Sequence, residues 1–94
     1  MGSVTIKLAS SFHLKENTFS WDIGDRTSLA ELLSGWGAAN EPELLGKLFN
    51  PETGFIAEMV LVLQNGRSVK SVDPKSTTVS PGDSIYITPI LPGG

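Results

Sequence analysis

The chain has 94 residues, enough for one domain with one modest hydrophobic core. It contains no cysteine, which excludes disulfides, thiolate metal centres and cysteine nucleophiles and fits a cytoplasmic protein. The net charge is −3, and the lysines and arginines are scattered singly. Without a basic stripe to hold phosphates, nucleic acid is not an expected partner. No apolar run approaches the roughly 18 residues that a membrane span needs, so no membrane association is expected either.

Two strands are predicted near the N-terminus. Val4, Ile6 and Leu8 alternate with polar residues, the period of a half-buried strand. The same alternation recurs over residues 18–23, after a polar, turn-like stretch at residues 10–17. The two strands are therefore expected to form a hairpin with a long loop.

A helix is predicted to begin after Ser28. Ser28 and Glu31 have the spacing of a capping box, in which the two side chains satisfy free backbone amides at the helix start. The next apolar residues recur at helical spacing and form one stripe: Leu29, Leu32, Leu33 and Trp36. Such a stripe is typical of the face that packs on a sheet. Gly37 is expected to end the helix.

A second, shorter helix is predicted from the segment Glu41-Pro42-Glu43. Proline suits the first turn of a helix, and acidic residues suit the positive end of its dipole. Its apolar side consists of Leu44, Leu45, Leu48 and Phe49. Residues 50–54 are expected to interrupt it.

A central strand over residues 59–63 is apolar on both faces. Asn65-Gly66 follows, a strong signal for a two-residue hairpin turn, with a short return strand near residues 67–71. One helix covers only one face of a sheet. The second face is either wrapped by the short helix and its loop or left as an apolar patch for a partner, or its apolar residues are present simply as strand formers. Tyr86 on the last strand belongs to the same question.

The last strand is predicted over residues 84–88, with Pro89 ending it. It follows the segment Ser80-Pro81-Gly82-Asp83, which suits a type II turn because Gly82 tolerates a positive φ. The resulting order is strand, strand, helix, strand, strand, strand. This predicts one α+β domain over residues 1–94, with a mixed sheet of about five strands, a main helix, a short second helix and a flexible tail at 90–94.

The chain offers little chemistry of its own. His13 stands alone in a polar loop and is interpreted as a surface residue. Asp22 and Asp25 flank a glycine and are interpreted as turn residues. Gly35-Trp36-Gly37 is too short for a phosphate-binding loop. No metal or cofactor site is expected, and any ATP that the protein's work requires is expected to be bound by a partner.

The C-terminal sequence is the main functional signal. Pro89 and Pro92 stiffen an extended, apolar tail that ends in Gly93 and Gly94. A segment without Cβ atoms can pass through a narrow channel and place its carboxylate in a crowded reaction centre.

The order of elements, the Asn65-Gly66 hairpin, the Pro81-Gly82-Asp83 turn and the Pro-Gly-Gly end resemble the β-grasp sulfur carriers, the ubiquitin-like family of ThiS and MoaD. The segment KLFNPETGFIAEMVLVLQNGRSV is similar to MoaD-type members in particular. The resemblance extends from Val4 to Gly94. The residues before the glycines, Thr88 to Pro92, depart from the commonest MoaD ending, which leaves the pathway open.

The resemblance implies that a ubiquitin-activating-type adenylyltransferase, similar to ThiF or MoeB, adenylates the carboxylate of Gly94 with ATP. The product is then converted to a thiocarboxylate, which donates sulfur to the molybdopterin precursor or to the thiazole of thiamin. Gly93 and Gly94 would be the reactive tail, and the preceding residues Ile90, Leu91 and Pro92 would bind in the partner's channel. A larger synthase subunit is a further expected partner. The protein is thus expected to be a carrier rather than an enzyme.

Two other functions remain open at the level of sequence. The same carboxylate could form an isopeptide bond with a lysine of a target protein, as in ubiquitin. Alternatively, the chain could be a plain β-grasp interaction domain with an inert tail.

Overall fold

The computed structural model describes residues 2–12, 14–48, 56–57, 60–69 and 73–90. The strands in this part of the chain are β1 Ser3–Leu8, β2 Thr18–Asp22, β3 Thr27–Ser28, β4 Val60–Gln64, β5 Arg67–Ser68, β6 Thr78–Val79 and β7 Ser84–Pro89. The helices are α1 Leu29–Asn40 and α2 Pro42–Leu48, with one 3-10 turn at Ser10–Phe12. His13 and the predicted break at 50–54 lie outside the described residues.

Five of these strands form one mixed sheet in the order β2-β1-β7-β4-β5. The first and last strands of the chain, β1 and β7, run parallel at its centre, and the other neighbours are antiparallel. The predicted hairpin of β1 and β2 is confirmed, with Ile6 opposite Phe19. The predicted mixed sheet with one main and one short helix is confirmed as well.

The core lies between the sheet and α1. Alternate residues of β1 and β7 are buried there, and so is the whole predicted stripe of α1. The aromatic rings of Trp36 on α1 and Phe19 on β2 meet edge to face, with centroids 5.2 Å apart. Two aromatic rings in this geometry add about 0.5–1.5 kcal/mol to the burial energy, so this contact ties the helix to the sheet edge.

Ser28 caps α1 as predicted, but only half of the capping box forms. The Glu31 backbone N–H donates to Ser28 Oγ over 3.1 Å. The Glu31 carboxylate instead accepts a hydrogen bond from Thr27 Oγ1, at 2.9 Å. The difference follows from β3, because Thr27 and Ser28 pair with β6 and their backbone is already held by that ladder.

The predicted end of α1 at Gly37 is wrong. The helix continues to Asn40, and the N–H of Glu41 donates to the Gly37 carbonyl over 2.7 Å. Gly37 is buried where α1 meets α2, and a Cβ at this position would lie 2.9 Å from Leu45 Cδ1. The glycine is therefore needed for close approach of the two helices.

Both predicted turns are confirmed. Asn65 and Gly66 have φ values of 51° and 85°, the left-handed pair of a type I′ hairpin turn. Gly82 has a φ of 93°, and the Asp83 N–H donates to the Ser80 carbonyl over 3.1 Å, as in a type II turn.

Several strand boundaries differ from the prediction, and one short ladder was not predicted. The described return strand, β5, covers two residues, and residues 70–71 lie outside the described part. The last strand includes Pro89, which pairs with Val60 on the neighbouring strand. The short β3–β6 ladder was not predicted, because two-residue strands carry no periodic signal.

Candidate functional site

The predicted reactive tail begins at the end of β7. Ile90 directly follows this strand and is 37% exposed, which is unusual for an isoleucine. Leu91, Pro92, Gly93 and Gly94 lie outside the described residues, so their predicted roles stay predictions. The described part of the chain shows where the tail leaves the fold, next to the pairing of Pro89 with Val60.

The side of the sheet that faces away from α1 is here called the outer face. Its central row runs across all five strands in register: Thr18 on β2, Lys7 on β1, Tyr86 on β7, Leu63 on β4 and Ser68 on β5. The next row towards the tail pairs Leu61 with Thr88. Every second residue of β7 belongs to the outer face, and Ile90 continues this alternation just after the strand ends. The outer face therefore extends towards the tail.

The two residue sets of β4 have different surroundings. Val60 and Val62 are buried in the core, whereas Leu61 and Leu63 are only partly buried. Tyr86, opposite Leu63, is 38% exposed. Among the described residues, Tyr86 and Ile90 are the large hydrophobic side chains classed as exposed, and both belong to this side. The two helices thus do not cover both faces, and an apolar area remains open beside the tail.

A polar cluster holds β7 at the end opposite the tail. The carboxylate of Asp83 accepts hydrogen bonds from Ser80 N at 2.9 Å, Gln64 Nε2 at 3.0 Å and Asn65 Nδ2 at 3.1 Å. The hydrogen bond from the Ser80 backbone lowers the pKa of Asp83, partial burial raises it, and the two side-chain amides lower it further. The net pKa lies below the usual value of 3.8.

The same cluster joins two turns of the sheet. Asn65 Oδ1 accepts from the Ser84 N–H over 2.9 Å, and the Asn65 N–H donates to the Ser84 carbonyl over 2.8 Å. The type I′ turn and the type II turn are therefore fastened to each other. This fixes the start of β7, and through the strand it fixes the position from which the tail leaves. Both turns are predictable from the sequence, whereas the Asp83 carboxylate that links them depends on contacts 18 and 19 residues apart.

The other candidates in the described residues do not form a site. Asp25 is exposed and follows Gly24, which has a φ of 73°, in agreement with its interpretation as a turn residue. The interpretation of Asp22 as a turn residue is wrong, because Asp22 is the last residue of β2 and pairs with Ser3 on β1. An open cavity of about 580 Å³ beside α1 is lined by Ser28, Ala30, Glu31, Ser34 and Lys75. Two of its polar groups are already hydrogen-bonded, because Ser28 Oγ caps the helix and the Glu31 carboxylate accepts from Thr27 Oγ1. The described residues contain no group of side chains arranged to hold a metal ion and no helix long and apolar enough to cross a membrane.

No family model and no curated protein sequence matches the chain, but solved structures do. SAMP1 from Haloferax volcanii superposes with a TM-score of 0.77 at 22% identity, over 99% of this chain and all of that one. CysO, in the BexX/CysO complex of Amycolatopsis orientalis, gives 0.74 at 18% identity, over 97% of this chain and 99% of that one. The chain has the β-grasp fold.

A third β-grasp match is the thiamine biosynthesis protein ThiS from Geobacter metallireducens, at a TM-score of 0.50 and 20% identity, over 96% of this chain and 97% of that one. The resemblance to ThiS- and MoaD-type proteins is thereby confirmed for the fold. Each of these superpositions spans almost the full length of both chains. The β-grasp unit therefore accounts for most of this chain.

Proposed function

We propose that this protein is a sulfur carrier whose C-terminal carboxylate, on Gly94, is activated by a partner enzyme and converted to a thiocarboxylate. The observation that carries the proposal is the combination of a β-grasp fold with a Gly-Gly pair that follows its last strand closely. ThiS, a thiamine biosynthesis protein, and CysO, in complex with BexX, have the same fold. Both matches support a small carrier protein that acts with enzymes, and we propose that it acts in the cytoplasm.

The chemistry requires three steps. A carboxylate oxygen of Gly94 attacks the α-phosphorus of ATP on the partner, which releases pyrophosphate and leaves an acyl-adenylate. A persulfide sulfur then attacks the acyl carbon, and AMP departs. A thiol finally reduces the resulting acyl disulfide, which leaves the thiocarboxylate on Gly94 and a disulfide on the donor. In this scheme the partner supplies the catalysis, and the β-grasp fold supplies the position of the tail.

The expected partner is an adenylyltransferase of the ThiF or MoeB type. The outer face fits such a partner because it combines exposed Tyr86 with half-buried leucines and leads towards the tail. If the partner enzyme binds this face, the tail is directed into the active site of that enzyme. Residues Ile90, Leu91 and Pro92 would line the channel, and Gly93 and Gly94 would pass its narrowest part because they have no side chain. A larger synthase subunit could bind the same face after sulfur transfer.

The sulfur is proposed to go to the molybdopterin precursor, with thiamin as the other pathway. The MoaD-like sequence over residues 47–69 supports the first, and the match to ThiS supports the second. The measurement that separates them is transfer of sulfur from the loaded protein to each acceptor in the presence of the respective synthase.

Removal of Gly94 tests the proposal directly. The variant should retain the thermal midpoint of the full chain, because Gly94 comes five residues after Pro89, where the last described strand ends. Purified activating enzyme from the source organism should catalyse ATP–pyrophosphate exchange with the full chain and not with the variant. If the truncated chain still supports exchange, Gly94 is not the activated residue, and both the carrier and the modifier functions fail.

A second function, conjugation to lysines, is supported by the match to SAMP1, a small archaeal modifier protein. Intact mass measured on protein isolated with its partners separates the two. A carrier shows one oxygen exchanged for sulfur, and alkylation traps that sulfur at the C-terminus. A modifier instead leaves Gly-Gly remnants on lysines of other proteins, and these disappear when Gly94 is removed. Remnants without any sulfur-bearing form would replace the carrier function with the modifier function.

A further inference from the structure

We infer that the edge strand β2 pairs antiparallel with the same strand of a second copy of this chain, so that two five-stranded sheets join into one. The inference goes beyond the proposed function, because it concerns one edge of the sheet and not the tail that follows β7. A second copy is identified as the partner by the backbone groups, aromatic rings and charges along Thr18–Asp22.

The ladder between β1 and β2 has a defined phase. At its two ends, the Leu8 N–H donates to the Asn17 carbonyl over 2.7 Å, and the Ile23 N–H donates to the Gly2 carbonyl over 3.0 Å. Hydrogen-bonded and non-hydrogen-bonded pairs alternate along an antiparallel ladder. The odd-numbered residues of β2 therefore bond to β1, and the even-numbered residues direct both backbone groups away from it.

These outward residues are Thr18, Ser20 and Asp22, and all three are exposed. Within the described residues, β2 ends the sheet and no strand pairs with its outer edge. Proteins usually protect such an edge with lysine, proline, a bulge or a very short strand. The described strand at the opposite edge, β5, is two residues long and contains Arg67. By contrast, β2 has five residues in unbroken register and contains neither lysine nor proline.

The sequence of β2 is complementary to itself. When two copies pair antiparallel about Ser20, the two Ser20 residues face each other and Thr18 of each copy faces Asp22 of the other. All three outward residues then form hydrogen-bonded pairs, which gives about six backbone hydrogen bonds, two for each pair. A register shifted along the strand forms fewer. This register also keeps the two Asp22 carboxylates at opposite ends of the ladder.

The helix side of the same edge adds aromatic contacts. Phe19 and Trp21 are only partly buried at the border of the core. In the proposed register, Phe19 of each copy faces Trp21 of the other, with Cα atoms about 4.5 Å apart, and aromatic pairs across strands stabilise a sheet. Gly35 of α1 lies over Trp21, since a Cβ on it would be 3.8 Å from that ring. In the next turn of α1, Ala38 and Ala39 are exposed and small, which leaves room for the second copy.

Charges on the outer face match as well. Thr18 pairs with Lys7 on β1, so in the dimer Thr18 lies between Lys7 and Asp22 of the other copy. Two strand spacings separate the Cα atoms of Lys7 and that Asp22 by about 10 Å, a gap that the long lysine side chain narrows. Thr18 Oγ1 can donate to the same carboxylate. Exposed ion pairs contribute little stability, so these groups select the register and the backbone and aromatic pairs supply the affinity.

The test is sedimentation of the full chain from micromolar to near-millimolar concentrations, together with tryptophan fluorescence. Ser20→Lys places two ammonium groups at the twofold axis, and Ser20→Thr is the matched control because it keeps a hydroxyl group on a strand-forming residue. Asp22→Lys and the double variant Asp22→Lys/Thr18→Glu test the register. Each variant is first checked by circular dichroism and thermal denaturation, and the fold should persist because the changed side chains are exposed.

The unmodified chain should form a dimer as its concentration rises. Trp21 emission should shift to shorter wavelength in parallel, because this ring loses contact with water, whereas Trp36 is buried in either state. Ser20→Lys should raise the Kd of the dimer about tenfold or more through like-charge repulsion, and Ser20→Thr should stay within about twofold. Asp22→Lys should raise Kd about fivefold, and addition of Thr18→Glu should restore it by reversing the facing pair.

Three results would overturn the inference. One is a monomer at every concentration with constant tryptophan emission. Another is a dimer that Ser20→Lys does not weaken, which would place the contact elsewhere on the molecule. The third is a double variant that dimerises no better than Asp22→Lys alone, which would show that Thr18 and Asp22 do not face each other. None of these measurements uses the activating enzyme, so their outcome is independent of the proposed function.

Discussion

Replacement of Asp83 by alanine removes the acceptor that joins the two turns at the start of β7. Three hydrogen bonds are lost, from Ser80 N, Gln64 Nε2 and Asn65 Nδ2, with lengths of 2.9 to 3.1 Å. Each such bond contributes about 0.5–1.5 kcal/mol net, and partial exposure of the site places these three near the low end. The expected loss is about 1.5–3 kcal/mol, which for a domain of this size lowers the thermal midpoint by about 10 °C.

The effect of D83A should depend on pH in a direction set by the lowered pKa of Asp83. A carboxylate whose pKa is lower in the folded state stabilises the fold fully above its unfolded pKa, near 3.8. That contribution is lost as the pH falls through the folded-state pKa. The difference in unfolding free energy between the unmodified chain and D83A should therefore be largest near neutral pH and shrink in strong acid.

The assay is urea denaturation followed by circular dichroism at pH 7 and at several acidic pH values. Asp25→Ala is the matched control, because Asp25 is an exposed aspartate whose carboxylate has no hydrogen-bond partner among the described residues. ATP–pyrophosphate exchange should persist in folded D83A, since the cluster and the tail are at opposite ends of β7. Equal stabilities of D83A and D25A, or a difference that does not change with pH, would refute the assigned role of the cluster.

Three further predictions concern packing and the outer face. Gly37→Ala should destabilise the fold by about 1–3 kcal/mol because its Cβ meets the facing leucine of α2, while Gly46→Ala, with nothing within 4 Å, should be neutral or stabilising in the same thermal melts. Ser28→Ala should cost about 1 kcal/mol through loss of the helix cap, and an unchanged urea midpoint would contradict that role. Leu63→Asp on the outer face should raise the KM for the activating enzyme at little cost in stability. Val62→Asp on the buried side should unfold the chain, and similar behaviour of these two variants would show that β4 does not separate two faces.

Much of the fold follows from local sequence patterns. The alternation at Val4, Ile6 and Leu8 predicted correctly which side chains of β1 are buried, because successive residues of a strand point to opposite faces. The stripe of α1 was equally predictable, since its spacing leaves only one apolar side. Asn65-Gly66 and Gly82 identified their turns because few residues tolerate a positive φ.

Other features depend on contacts between residues that are far apart in the chain. Gly37 resembles a helix terminator by sequence, yet it serves the packing of α1 on α2. Asp83 is a turn residue by sequence, yet it also links a hairpin about 20 residues earlier in the chain. The parallel pairing of β1 with β7 at the centre of the sheet also depends on residues that are far apart in the chain.

The candidate site shows the same division. The Gly-Gly end is readable from sequence because it requires no fold, only residues without side chains. The outer face is different, because the sequence of β4 is apolar on both sides and does not say which side is covered. Packing of α1 buries Val60 and Val62 and leaves Leu61 and Leu63 towards solvent. Strand register then sets Lys7 beside Tyr86, although the two are 79 residues apart in sequence, since only hydrogen bonding between the first and last strands brings them together.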